Sequence, residues 1–181
     1  MTGLDVLVGL TFLGICVGAV VRGLLRQLMS LLVLFFATVI AGVLYPYGAL
    51  ALAVIGEQAP TLADGVAFLL LFAFFTVILE LILKASFPDT RLPRLGVFDH
   101  VLALAPGVLC ALVVSALLLT TLGHAARQPW GTLIPGVRVA LARAYRHSAL
   151  KPYLALFLDY YLRSLQIWFR RPPPLLSYLL R

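Results

Sequence analysis

The chain has 181 residues, of which 62% are apolar and only 12% charged, and its formal net charge is +7. A soluble domain averages about 45–50% apolar and about 25% charged residues, so this composition excludes an ordinary soluble domain. The length allows one membrane bundle with a tail rather than two domains.

Four apolar segments dominate the first two thirds of the chain, at residues 4–21, 28–45, 65–83 and 100–122. A helix of about 20 apolar residues is long enough to cross the hydrocarbon core of a bilayer. The sequence therefore predicts an all-α polytopic membrane protein, with a four-span bundle over residues 1–122. Residues 1–21 contain no Lys or Arg, so we interpret the first segment as a retained span rather than a signal peptide.

The connections between these spans carry further expectations. Residues 22–27 are so short a link that spans 1 and 2 are predicted to form a tight antiparallel hairpin. Residues 48–56 are apolar but follow Pro46, which predicts a short interfacial or kinked continuation and not a fifth span. Pro106 lies inside span 4 and predicts a kink there, because proline removes one helical hydrogen bond.

Three carboxylates stand at or just ahead of the starts of spans 1, 3 and 4, namely Asp5, Asp64 and Asp99. A carboxylate at a helix N-terminus accepts hydrogen bonds from backbone N–H groups that have no helical partner. We expect all three to act as helix caps.

The tail, residues 123–181, holds nine basic residues and one acidic residue, a net charge of +8. Helices are predicted over 137–149 and 152–169, with Asp159 and Arg163 paired at i, i+4. A charged pair halfway along favours a basic amphipathic helix lying in the membrane interface over a fifth span. The expected partners of the tail are anionic lipid headgroups and not nucleic acid, and residues 175–181 are expected to be loosely attached.

Basic residues in short loops predict the cytoplasmic side. Arg22 and Arg26 lie in the first connection, and Lys84, Arg91 and Arg94 lie in the third, whereas the second has none. This pattern places both connections inside and both termini outside, although it also puts the basic tail outside.

Several residues inside the spans have alternative interpretations. Gly14 and Gly18 form a GxxxG pattern, and Ala103 with Gly107 forms a related one; both patterns favour close helix packing, within the chain or between copies. Glu80 either pairs with Lys84 one turn later or marks a proton or ion path. Arg22 and Arg26 are a topology signal, a site for lipid phosphate, or caps for the hairpin carbonyls.

No pattern of catalytic or metal-binding residues accompanies these features. The three histidines are scattered, and the two cysteines, Cys16 and Cys110, lie inside predicted spans as packing residues. The prediction is a protein that is not an enzyme, without cofactor or metal.

Two stretches resemble the colicin V production protein (CvpA) family, as does the shorter Ala41–Tyr45-Pro46 at the exit from span 2. The first is Leu4-Asp5 followed by Gly18-x-x-x-Arg22-Gly23-Leu24-x-Arg26-Gln27 and Leu28-x-Ser30-Leu31. The second is Leu95-Gly96-Val97-Phe98-Asp99 with Gly107. Gln27, His100 and Ala103 stand where that family usually has Glu, Arg and Gly, and the resemblance ends near residue 122.

The resemblance implies an inner-membrane protein of bacteria with a role in colicin V production or export and in envelope homeostasis. We expect an accessory protein that acts by helix packing and by binding a membrane partner or a second copy of itself. The alternative is an oligomeric transporter or channel for protons or small solutes. The candidate functional residues are Asp5, Arg22, Gly23, Arg26, Glu80, Asp99 and Gly107.

Overall fold

The computed structural model of the chain describes residues 2–56, 60–87, 97–128, 135–165, 168 and 175–176. Arg91, Arg94, Leu95 and Gly96 lie outside this part of the chain, as does the side chain of His100. The regular elements of the described residues are all helices, which confirms the predicted all-α class.

Four helices are long and apolar enough to cross a membrane. They are α1 (Gly3–Arg22), α2 (Leu24–Gly56), α3 (Pro60–Ser86) and α5 (Leu104–Ala125), of which α2 qualifies over Leu24–Leu52. Each contains one of the predicted spans or most of it, and the four-span prediction is confirmed by length and composition.

Two of these helices are longer than predicted. Helix α2 continues through Pro46 to Gly56, so the predicted continuation is part of the same helix. Helix α3 begins at Pro60, where a ring with φ near −65° suits the first helical position. Asp64 therefore lies one turn inside α3, and its predicted role as the cap of span 3 is wrong.

Predicted span 4 is divided into a short helix, α4 (Val97–Leu102), and α5, with Ala103 between them. Pro106 has no N–H to donate to the carbonyl of Leu102, and its ring crowds that carbonyl. The interruption thus falls where the kink was predicted. Backbone hydrogen bonds still cross the interruption. The Ala103 N–H donates to the Asp99 carbonyl and the Gly107 N–H donates to the Ala103 carbonyl, both at 3.0 Å.

Helix α5 is the centre of the bundle and contacts α1, α2, α3 and both helices of the tail. Helix α1 packs mainly on α5, and α2 packs mainly on α3. Helices α1 and α2 share few contacts although one residue joins them, so they do not pack as the predicted tight hairpin. The outward faces of α1 and α3 expose large apolar side chains, as lipid-facing surfaces do.

The tail forms α6 (Pro135–Arg146) and α7 (Lys151–Ser164), and α7 packs against α5. Its buried face carries Leu154, Leu158 and Leu162, spaced four residues apart. The predicted pair of Asp159 and Arg163 is confirmed at 2.7 Å on the exposed side.

Further contacts attach the tail to the bundle. Burial raises the pKa of the Tyr161 hydroxyl to about 12, and this hydroxyl donates to Thr38 Oγ1 of α2 at 2.9 Å. Leu175 and Leu176 are fully buried, so the expectation of a loosely attached end is wrong for these two residues.

Candidate functional site at the α1–α2 junction

One glycine connects α1 to α2. Gly23 has φ +86° and ψ 163°, a conformation that is essentially restricted to glycine. The carboxylate of Asp99 lies against it, and its Oδ1 accepts the Leu24 N–H at 3.0 Å. A Cβ atom on residue 23 would lie 2.6 Å from Asp99 Oδ2. This junction therefore requires a residue without a side chain.

Asp99 is buried, and it caps a different helix from the one the sequence indicated. It was predicted to cap span 4, but its carboxylate accepts the first N–H of α2, 75 residues away in sequence. A negative charge at this position also interacts favourably with the positive end of the helix dipole.

Asp99, Ala103 and Gly107 follow one another at four-residue intervals, and backbone hydrogen bonds link each to the next. They consequently lie on one face of the α4–α5 segment. Ala103 is fully buried, and a Cβ atom on Gly107 would overlap the methyl group of Ala19 on α1. This face is the surface on which the end of α1 rests.

Glu80 of α3 is the acidic member of a charged cluster at the same junction. Its Oε1 accepts the Ser30 hydroxyl at 2.5 Å, and its carboxylate oxygens lie 4.0 Å from Arg22 and 3.9 Å from Arg26. Lys84 lines the same cavity, but the predicted pair between Glu80 and Lys84 does not form. The Arg26 side chain is 17% exposed and that of Arg22 53%, so the pair with Arg26 is the less screened by solvent.

A cavity of about 690 Å³ opens beside this cluster, between α1, α2, α3 and α5. Its charged lining residues are three basic ones, Arg22, Arg26 and Lys84, and one acidic one, Glu80. The lining therefore has an excess of two positive charges. Gln27 also lines it and is buried, and its Oε1 has no hydrogen-bond partner among the described residues. The positive lining suits an anionic group. The Gln27 Oε1 atom can accept one hydrogen bond from a hydroxyl or amide of the same ligand.

The remaining candidate residues lie away from this junction. Asp5 caps its own helix with Thr2, as predicted, but it also accepts hydrogen bonds from the Ser148 hydroxyl and the Ala149 N–H of the tail. Asp64 lies 3.5 Å from His124. These contacts belong to the opposite end of the bundle, where α1 begins and α5 ends.

The GxxxG pattern of α1 does not face another of the described helices. A Cβ atom added to Gly14 or Gly18 would have no neighbour within 4 Å. Packing within the chain, which was one of the two interpretations, is absent at these two described positions.

Sequence reasoning did not single out Gln27 and Ser30 as site residues. A local signal for Ser30 was present, because Arg26 and Ser30 are four residues apart on α2 and share a face. Within the described parts of the chain, no group of three or more His, Cys, Asp or Glu side chains is placed to hold a metal ion.

Comparison with known proteins identifies the family. The family model described as colicin V production protein matches residues 4–156. The chain belongs to this family, and the match continues past residue 122 through α6 into α7. No curated protein and no solved structure matches the chain.

Proposed function

We propose that this member of the colicin V production protein family is a non-enzymatic accessory protein of the bacterial inner membrane. Its role is to support colicin V production or export and envelope homeostasis, through helix packing and the binding of a membrane partner. One observation carries the proposal. The residues of the two stretches that resemble the family, far apart in sequence, meet at one junction: Arg22, Gly23 and Arg26 from the first, and Asp99 and Gly107 from the second.

The test is a secretion assay in a bacterial strain that carries colicin V and has no other member of the family. The full chain is expected to restore the zone of growth inhibition around producing colonies. Asp99→Asn should reduce that zone because a neutral amide is a poorer cap for α2. Asp159→Asn, which changes a carboxylate on the exposed side of α7, is the matched control and should leave the zone intact.

Immunoblots of the membrane fraction distinguish loss of function from loss of protein. Should the wild-type chain accumulate in the membrane and restore no secretion, the proposed role in toxin production is refuted. Equal zones for both variants at equal abundance would remove the junction from the proposal.

The proposed orientation places the α1–α2 junction at the cytoplasmic face and both termini in the periplasm. Support comes from Arg22, Arg26 and Lys84, which line one cavity at this end of the bundle. A topology reporter fused after Arg181 tests it, and activity of a cytoplasmic reporter would reverse the assignment.

The second candidate is an oligomeric transporter or channel for protons or small solutes, and the cavity beside Glu80 favours it. A carboxylate within a membrane bundle is a common element of proton and ion paths. If the chain is a transporter, Glu80→Gln should abolish flux in reconstituted vesicles. An accessory protein should tolerate this change, because glutamine still accepts the Ser30 hydroxyl. Unchanged flux in the variant would remove Glu80 from any transport path.

A further inference from the structure

A second cavity lies at the opposite end of the bundle, where the tail meets the end of α5. Its volume is about 380 Å³. Four basic side chains line it, from the segment after α5, from α6 and from the start of α7: Arg127, Arg138, Arg146 and Lys151. Cations from three separate parts of the chain thus converge on one space.

The floor of this cavity is aromatic. The ring of Tyr145 packs so closely on Gly123 of α5 that a Cβ atom there would overlap it. The Lys151 ammonium lies 4.8 Å from the centre of the same ring, within the range of a cation–π interaction. Lys151 is therefore held at the cavity by the tyrosine.

The positive charge has no acidic counterpart nearby in sequence, since residues 100–158 contain neither Asp nor Glu. Two carboxylates among the described residues at this end of the bundle have other partners, Asp5 with the tail backbone and Ser148, and Asp64 with His124. Neither lines the cavity. Arg138, Arg146 and Lys151 place three like charges in one space, where they repel each other, and an anion with several oxygens, such as a phosphate, relieves that repulsion.

The position of the cavity relative to the apolar helices shows at which level of the membrane it lies. The span formed by α5 ends at Ala125, and Arg127 follows two residues later. A basic residue so close to the end of a transmembrane helix lies at the level of the lipid headgroups.

The outward face of α7 is apolar and aromatic. Tyr153, Leu156 and Tyr160 are 75%, 66% and 65% exposed, and they follow one another at intervals of three and four residues. They form one helical face opposite the buried leucines, as expected for a surface that contacts lipid. The Tyr161 hydroxyl contacts Thr38 in the middle of α2, so α7 runs from the cavity towards the centre of the membrane and does not lie in the interface as predicted. Only the start of α7, with Lys151, lies beside the phosphates of the bilayer.

We propose that this cavity binds the phosphate group of an anionic phospholipid, with Arg138, Arg146 and Lys151 as its principal ligands. Bound lipid joins α6 and α7 to the end of α5. This inference is independent of the role in toxin production, because it concerns the opposite end of the bundle.

The test uses the purified full chain in neutral detergent, with phosphatidylglycerol as the probe and phosphatidylcholine as the lipid control. Native mass spectrometry counts bound lipids, and thermal unfolding at increasing lipid concentration gives the affinity. Phosphatidylglycerol should bind and raise the midpoint of unfolding, whereas phosphatidylcholine should not. Arg138→Gln and Arg146→Gln should each weaken binding about fivefold, as expected for the loss of one basic residue at an anionic surface.

Arg143→Gln is the matched control, because Arg143 is an exposed residue of α6 that does not line the cavity. Arg146→Lys keeps the charge and should recover most of the affinity for phosphatidylglycerol. That recovery would show that the weaker binding of Arg146→Gln is not caused by a folding defect. Inorganic phosphate in place of lipid tests for a soluble anion site.

Three outcomes would overturn the proposal. An equal loss of binding in Arg143→Gln would show attraction to the overall charge and no specific cavity. Equal binding of both lipids would exclude recognition of the anionic headgroup. Stabilisation by inorganic phosphate without any by phosphatidylglycerol would assign the cavity to a soluble anion.

Discussion

Replacing Gly23 by alanine tests the junction between α1 and α2 most directly. The alanine side chain has to occupy a conformation with φ +86° and ψ 163°, at a cost of about 1–3 kcal/mol. Its Cβ atom also displaces the Asp99 carboxylate, which would otherwise lie 2.6 Å away. Losing the bond from the Leu24 N–H to this charged acceptor costs about 1.5–3 kcal/mol. Gly23→Ala should therefore lower the free energy of unfolding by about 2.5–6 kcal/mol.

A double-mutant cycle identifies the mechanism. Asp99→Ala alone removes the cap of α2, but it should add little in the Gly23→Ala background, where the cap is already displaced. The measurement is reversible unfolding in mixed detergent micelles, followed by circular dichroism. Gly14→Ala is the control, since an added Cβ atom there meets nothing within 4 Å. A Gly23→Ala protein as stable as wild type, or strictly additive effects in the cycle, would refute the reasoning.

Three further predictions concern other contacts. Gly107→Val should separate α1 from α5 and lower the midpoint of unfolding. Adding Ala19→Gly in the same chain makes room for the valine and should restore part of that midpoint. Failure of this rescue would contradict the close approach of the two helices. Asp5→Asn should loosen the tail, because Asp5 accepts the Ser148 hydroxyl, and limited proteolysis should then cut between α6 and α7 faster than in wild type; unchanged cleavage would argue against this attachment. Gly18→Leu should leave monomer stability unchanged because the site faces open space, and a fall in crosslinked dimer at constant stability would assign this face to contact between copies.

The spans were predictable because the signal is local. Runs of apolar residues identify membrane helices wherever they pack, and the four segments confirm this. The ends of the helices were less predictable. Span 2 was predicted to end at residue 45, with an interfacial or kinked continuation after Pro46, whereas α2 continues as one helix to Gly56. A hydropathy pattern marks the part of a helix that needs lipid and carries no information on how far the helix extends beyond it.

The partners in the site depend on which helices are neighbours, and local rules could not supply them. The i, i+4 rule correctly paired Asp159 with Arg163 on an exposed helix face. The same rule failed for Glu80, because α3 brings this residue to the start of α2, where Ser30, Arg22 and Arg26 compete for it. A rule for isolated helices is reliable on a surface and loses to tertiary contacts at a helix junction.

The spacing of the second family stretch acquires a physical meaning from these contacts. One face of the α4–α5 segment carries Asp99, Ala103 and Gly107 on successive helical turns. Backbone hydrogen bonds join these residues across the interruption caused by Pro106. The first of them sets where α2 begins, and the last sets how closely α1 approaches α5. Because both contacts lie on one face, the end of α1 and the start of α2 are positioned by the same element. Arg22 and Arg26 stand on either side of Gly23, so their distance from Glu80 depends on that positioning. A change at Asp99 or Gly107 consequently alters the charged cavity although neither residue lines it.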